Sequence, residues 1–201
     1  KTDDATKTCV PAFAGVTRTL NFWSGYVDPA TGTRQLLLNG TALSTNAASP
    51  TPLAVSFDAQ GKASVTLNYA DAGRVSLNAR YAGSAATGDS GLSMPGSAAF
   101  PVVPYRLCVD SDDSGWQCPS ASTACTRYRK AGENFRLRVT AKAFASGVTD
   151  TCSLPTTPNY RQLGTQLSAT VQAPVPGSDG SLGIPTIDIV AGGTATLTAQ
   201  T

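Results

Sequence analysis

Apolar and polar residues alternate strictly along two neighbouring segments, residues 62–69 and residues 74–81. The apolar positions are Ala63, Val65, Leu67, Tyr69, Val75, Leu77, Ala79 and Tyr81. A period of two directs one face of each segment into a core and the other face to water. The break at residues 70–73 predicts a turn that joins two antiparallel strands, followed by a buried tyrosine as in many immunoglobulin-like sandwiches.

Similar patterns predict strands along the whole chain. In the first half they lie near residues 17–24, 34–38, 41–44, 53–57, 62–69, 74–81 and 97–103, and in the second half near residues 104–109, 134–144, 166–172, 184–190 and 193–200. Asn39 and Gly40 predict a two-residue hairpin turn, because both residue types accept positive φ. No segment has a convincing helical period. The chain is therefore predicted to be all-β.

Two prolines, Pro101 and Pro104, interrupt the chain near its middle and predict a stiff, extended connector. The 201 residues are enough for two β domains. We expect residues 1–100 to form one immunoglobulin-like antiparallel sandwich and residues 101–201 to form a second, tandem one with a cysteine-rich loop.

A weak internal repeat relates residues 57–69 to residues 189–201. A further strand follows the first copy of this repeat but not the second. One interpretation is a second sandwich that is incomplete at its C-terminal end. Its open edge would then be covered by another chain, for instance through a donated strand, by the first domain, or by residues of a longer protein. The other is a smaller sandwich closed by residues 193–201.

Composition excludes several classes of function. The 15 basic and 13 acidic residues leave a formal charge of +2, too small for a nucleic-acid-binding surface. No apolar run is long enough to span a membrane, and no signal peptide is present. The absence of histidine excludes Ser-His-Asp and Cys-His mechanisms and ordinary histidine-based zinc sites. Because the acidic residues form no convincing catalytic pair either, we expect no enzymatic activity.

The five cysteines lack the spacing of a zinc or thioredoxin motif, and four of them crowd into a loop-rich region. Those four are Cys108, Cys118, Cys125 and Cys152. We interpret them as disulfides formed in an oxidising compartment, with the connectivity left open. Cys9 is the odd one, which either pairs outside this chain or stays reduced.

A short acidic segment follows Cys108. Oxygens at Asp110, Asp112 and Ser114 match the first half of an EF-hand-type calcium loop. Ala121 stands where such a loop requires a bidentate glutamate. The two interpretations are a calcium site, the only cofactor considered, and a solvated acidic turn.

The same region offers side chains for partner or glycan binding. Trp116 lies within the cysteine-rich loop, where we expect it to be partly exposed, and Arg127 and Arg129 begin the most basic segment. A sugar or polyanion surface is one interpretation. The other is an ordinary solvent-facing surface whose alkyl stems cover a strand.

Several segments taken together resemble one bacterial family. They are Cys9–Ala14, Phe22–Pro29, Phe57–Gly61, Tyr69–Gly73, Phe100–Cys108, Lys130–Phe135 and Thr157–Tyr160. They are similar to the MSHA pilus biogenesis proteins of the MshQ type, in their domain of unknown function. Many family members carry a Cys-Trp pair near the position of Lys142–Phe144, and its absence leaves the partner of Cys152 open.

The resemblance implies a location and a role. It implies an exported, extracellular or cell-surface protein of a Gram-negative bacterium, with protein partners in a type IV pilus or envelope assembly and without catalytic residues. We therefore expect a non-catalytic structural and interaction module. The alternative is an adhesin domain that binds carbohydrate or another surface.

Overall fold

The computed structural model describes residues 5, 12–111, 129, 132–170, 182–183, 185–190 and 192–200. These residues divide into two compact units, the first within residues 1–69 and 74–102 and the second within residues 70–73 and 103–201. Both units consist of antiparallel strands, and the described residues contain one short 3-10 helix. The predicted all-β class with two tandem domains is confirmed.

The first unit contains two sheets. Its strands are β1 (Thr17–Asp28), β2 (Leu37–Leu38), β3 (Thr41–Ala42), β4 (Thr51–Ser56), β5 (Leu67–Asn68), β6 (Gly73–Ala82) and β7 (Ser93–Val102). One sheet has the order β4-β1-β6-β7 and the other the order β3-β2-β5. Their apolar faces enclose a core of Phe22, Leu36, Leu38, Leu43 and Val55.

The described residues of the second unit also form two sheets. Its elements are β8 (Arg106–Asp110), β9 (Asn134–Lys142), the 3-10 helix η1 (Thr151–Ser153), β10 (Gln162–Gln166), β11 (Thr186–Ile189) and β12 (Thr194–Gln200). Its sheets have the orders β12-β9-β8 and β10-β11. Its core cluster is smaller and consists of Val139, Ile187 and Ile189, with Tyr160, Leu167, Ala195 and Leu197 packed against it.

The turn at Asn39 and Gly40 is confirmed. Both residues have positive φ, 49° and 82°, and they join β2 to β3 with Leu38 opposite Thr41. The two apolar residues before the turn and the two left-handed positions in it are local signals, so the sequence alone locates this hairpin.

The pairing predicted for residues 62–69 and 74–81 is wrong. β5 pairs with β2 in the three-stranded sheet, whereas β6 pairs with β1 in the other sheet. The break at residues 70–73 is therefore a crossover rather than a hairpin turn. The inward positions of β6 are as predicted, since Val75 and Tyr81 are buried. In the segment of residues 62–69, by contrast, Val65 and Leu67 are exposed although they were predicted to face the core.

Other strand limits differ from expectation by several residues. The strand predicted near residues 166–172 lies at Gln162–Gln166, and the one predicted near 97–103 begins at Ser93. Pro95 and Gly96 disfavour a strand on local grounds, but β7 lies at the edge of its sheet, where proline is tolerated because only one side of the strand pairs with a neighbour.

Candidate functional site

The outer face of the sheet β12-β9-β8 carries most of the chemistry in the second unit. Val139 lies in the core cluster, and Leu137 and Ala141 on the same face of β9 are buried, so the intervening residues of β9 point to the other face of the sheet. Arg138 lies opposite Asp110, Thr140 opposite Cys108, and Lys142 opposite Arg106. Burial follows this alternation from Asn134 to Val139 and is lost from Thr140 onward, where the outward residues are buried as well.

A disulfide closes part of this outer face. Cys108 of β8 is bonded to Cys152 of η1, with a Cα–Cα distance of 5.0 Å. The predicted use of these two cysteines in a disulfide is confirmed, and the structure supplies the pairing that the sequence left open. Cys118, Cys125 and Cys9 lie outside the described residues, so their states stay predictions.

Asp150 holds the segment that carries Cys152. Its carboxylate accepts the backbone N–H groups of Cys152 and Ser153 and the hydroxyl of Ser153, the last at 2.6 Å. These bonds stabilise the charged form, so they lower the pKa of Asp150, with the Ser153 hydroxyl as the largest cause. Asp150 is therefore an N-cap that orders the first turn of η1.

The segment of residues 150–157, here called the covering segment, packs on the outer face of β9 and buries residues there. The backbone N–H of Ala143 donates to Pro155, and that of Thr157 donates to Ala141. Thr140 is buried beneath this segment and Lys142 is only 9% exposed. Lysine is ordinarily a surface residue, and Lys142 is an exception because a segment distant in sequence packs on this face.

Asp110, the first residue of the predicted calcium loop, is engaged in an ion pair. Its two carboxylate oxygens accept from Nε and Nη2 of Arg138, at 2.7 and 2.8 Å. A bidentate pair of this kind has fixed geometry and competes with cation binding. Asp112 and Ser114 lie outside the described residues, so the calcium site stays a prediction.

Asp110 also lies close to the sulfurs of Cys108 and Cys152. These three groups have the residue types of a metal centre. The two sulfurs are bonded to each other and neither is a thiolate, so they form a structural disulfide and are not metal ligands.

Two of the predicted binding residues, Trp116 and Arg127, lie outside the described residues. Arg129 is exposed, in agreement with a surface role, but its part in binding stays a prediction.

A second cluster of exposed side chains was missed by the sequence analysis. Tyr105, just before β8, contacts Phe144, just after β9, with ring centroids 5.3 Å apart and ring planes at 81°. The guanidinium carbon of Arg106 lies 5.1 Å from the centre of the Tyr105 ring. The only signal in the sequence is that these residues flank two strands that turn out to be neighbours.

The second unit also contains a buried carboxylate, Asp71. It is 1% exposed, and its Oδ1 atom accepts the backbone N–H groups of Ala72 and Asn159 at 2.8 and 2.9 Å. Buried carboxylates require such donors because water no longer solvates them. Asp71 therefore has a structural role in ordering the backbone around residues 70–73 and Asn159.

Comparison with known families identifies the class of this chain. Residues 1–97 match the first immunoglobulin-like domain of DUF6701, a domain of unknown function, and residues 103–200 match the second domain of the same family. The chain belongs to the DUF6701 family. Neither the curated proteins nor the solved structures contain a significant match.

No helix among the described residues has the length and apolar character of a membrane span.

Proposed function

We propose that this chain is a non-catalytic structural and interaction module of an exported bacterial surface protein associated with an MSHA-like type IV pilus system. The observation that carries the proposal is the Cys108–Cys152 disulfide, because such bonds form and persist in oxidising compartments. The immunoglobulin-like fold supports it, since tandem sandwiches commonly act as rigid spacers and interaction domains. The pilus association rests on the resemblance to proteins of the MshQ type.

The proposed absence of catalysis has a chemical basis. The chain lacks histidine, and three carboxylates of the second unit accept hydrogen bonds, although the buried Oδ2 of Asp71 has no partner among the described residues. Asp110 is paired with Arg138, Asp150 caps η1, and Asp71 accepts backbone N–H groups. These groups act as hydrogen-bond acceptors that order the structure.

The experiment that tests this function is localisation in a piliated bacterium that encodes the chain. Antibodies against the purified chain should label the surface of intact cells and the sheared pilus fraction, with a cytosolic enzyme as the negative control. Labelling restricted to the cytosolic fraction would contradict the proposal. Surface labelling that is unchanged after deletion of the pilus genes would contradict only the pilus association.

A second candidate function is an adhesin domain that binds carbohydrate or another surface. Exposed aromatic side chains favour it, since the rings of Tyr105 and Phe144 are held at the surface of the second unit. Trp116 is the residue that the sequence selects for the same role. A glycan array probed with the chain and with Trp116→Ala tests it, because the adhesin predicts binding that the substitution removes.

A further inference from the structure

The aromatic residues at the end of the β8–β9 pair are unusually exposed for their size. Phe144 is 67% exposed and Tyr105 is 50% exposed, although each could bury a large apolar area. Their rings are nearly perpendicular and in contact. This edge-to-face arrangement fixes both rings while leaving much of their surface in water, which is typical of a binding surface rather than a core.

Arg106 adds a charge whose position is also fixed. Its guanidinium lies over the Tyr105 ring, and among the described residues it forms no ion pair or side-chain hydrogen bond. A guanidinium carries five N–H donors in one plane and matches a carboxylate in a bidentate way. The stacked guanidinium is thus held in place with its donors available to a ligand.

Positive charge is concentrated beside the rings. Arg106 lies directly opposite Lys142 in the register of β8 and β9. Like charges at directly opposed positions are unfavourable in a sheet. Asp110 is paired with Arg138, whereas the carboxylate of Asp150, which caps η1, also interacts electrostatically with Lys142. Lys142 therefore has a counter-charge nearby, and Arg106 is the cation of this pair that is left to an anionic ligand.

The support beneath the cluster is rigid. The backbone N–H of Tyr105 donates to the carbonyl of Lys142 at 2.8 Å, and the N–H of Ala143 donates to Pro155. The Cys108–Cys152 disulfide holds the covering segment in place. Side chains on such a support lose little further freedom when a ligand binds.

We propose that Tyr105, Arg106 and Phe144 form a binding surface for an acidic saccharide. The C–H face of a pyranose ring stacks on an aromatic face, whose π electrons attract its weakly positive hydrogens, and the guanidinium binds the sugar carboxylate. The proposal rests on the proposed surface role of the chain and names the ligand of that surface. A neutral sugar would use the rings alone and bind more weakly.

The test is an NMR titration of the isotopically labelled full chain with tetragalacturonate, with maltotetraose as the neutral control. Saturable shifts of the Tyr105, Arg106 and Phe144 signals are expected with the acidic sugar, at a dissociation constant of about 1 mM or tighter. Absence of saturable shifts at these residues up to about 10 mM would overturn the proposal.

Substitutions with matched controls identify the surface. Phe144→Ala and Arg106→Gln should each weaken binding about tenfold, because one removes the stacking ring and the other the guanidinium. Leu163→Ala and Arg161→Gln are the controls, since both positions are exposed in the same unit, Leu163 by 68%. The controls should change the affinity less than about twofold.

Two other outcomes would also overturn the proposal. Equal losses in Arg161→Gln and Arg106→Gln would show general attraction of an anion to a basic protein. Loss of chain self-association in Phe144→Ala, without saccharide binding by the parent chain, would assign the rings to a protein interface. Neither result bears on cell-surface localisation, so failure here is distinguishable from failure of the proposed function.

Discussion

The two units differ in what stabilises their β structure. The first unit surrounds a cluster of large apolar side chains, in which Leu36, Leu38 and Leu43 are almost completely inaccessible to water. The second has a smaller apolar cluster among its described residues, and it adds a disulfide and a bidentate ion pair on the outer face of one sheet. Small cores commonly require such covalent closure, because less apolar area opposes the loss of chain entropy.

Removal of the disulfide should have the largest effect and should be confined to the second unit. The bond closes a loop with a sequence separation of 44 residues, for which the chain-entropy model gives about 4 kcal/mol. Cys108→Ala with Cys152→Ala should therefore strongly increase hydrogen exchange in β8 and β9 while leaving β1 and β6 unchanged. Equal loss of protection in both units would contradict the comparison.

Truncation of a core leucine tests the first unit. Leu38→Ala removes a fully buried side chain and should cost about 3 kcal/mol of unfolding free energy, through lost burial and a residual cavity. Exchange should increase in β1 and β6 but not in β9. Leu163→Ala, on an exposed side chain, is the control and should change stability by less than about 0.5 kcal/mol.

Substitutions at two adjacent glycines of the second unit measure the cost of backbone strain separately from the cost of steric overlap. Gly192 and Gly193 both have positive φ, 67° and 64°, but only at Gly193 would an added Cβ overlap the carbonyl of Thr157. Gly192→Ala should cost about 1 kcal/mol for the left-handed backbone. Gly193→Ala should cost at least about 1 kcal/mol more, because a backbone carbonyl must move. Equal unfolding midpoints would refute this contact.

The ion pair between Arg138 and Asp110 on the outer face should contribute little to the free energy of unfolding. Arg138 and Asp110 are 37% and 19% exposed, so solvent screens much of their attraction, and a double-mutant cycle should give about 1 kcal/mol or less. Chelation of calcium should leave the Tm unchanged if Asp110 stays with Arg138. A fall in Tm on chelation, abolished by Asp110→Asn, would establish the calcium site instead.

Lowering the pH should destabilise the folded conformation of the loop of residues 83–92 in the first unit. The hydroxyls of Thr87 and Tyr81 donate to Asp89 and lower its pKa below the ordinary value of 3.8, with Thr87 as the larger cause. A lowered folded-state pKa contributes stability above pH 3.8 that is lost as the pH falls through the folded-state pKa.

The measurement is the unfolding midpoint from pH 6 to pH 2. Asp89→Asn should flatten the acid limb of the curve, and Tyr81→Phe should flatten it in part. An unchanged acid limb in Asp89→Asn would show that this carboxylate does not couple folding to pH.

The candidate site was only partly predictable. Cys108 and Cys152 were selected correctly as disulfide cysteines, but the sequence allowed several pairings for each. Asp110 was selected as a possible cation ligand, whereas its observed partner is Arg138. Tyr105 and Phe144 were overlooked as a pair, because only the register of β8 and β9 brings them together.

Local residue patterns were enough to predict the strand character of β1, β6 and β9, the hairpin at Asn39 and Gly40, and the inward face of β6. These depend on period-two alternation and on the φ preferences of single residues, which act over a few positions. Tertiary structure alone decided that β5 pairs with β2, that the segment around Cys152 covers Lys142, and that Arg106 stacks on Tyr105. Such choices depend on contacts between distant segments, whose energies arise only when the chain packs.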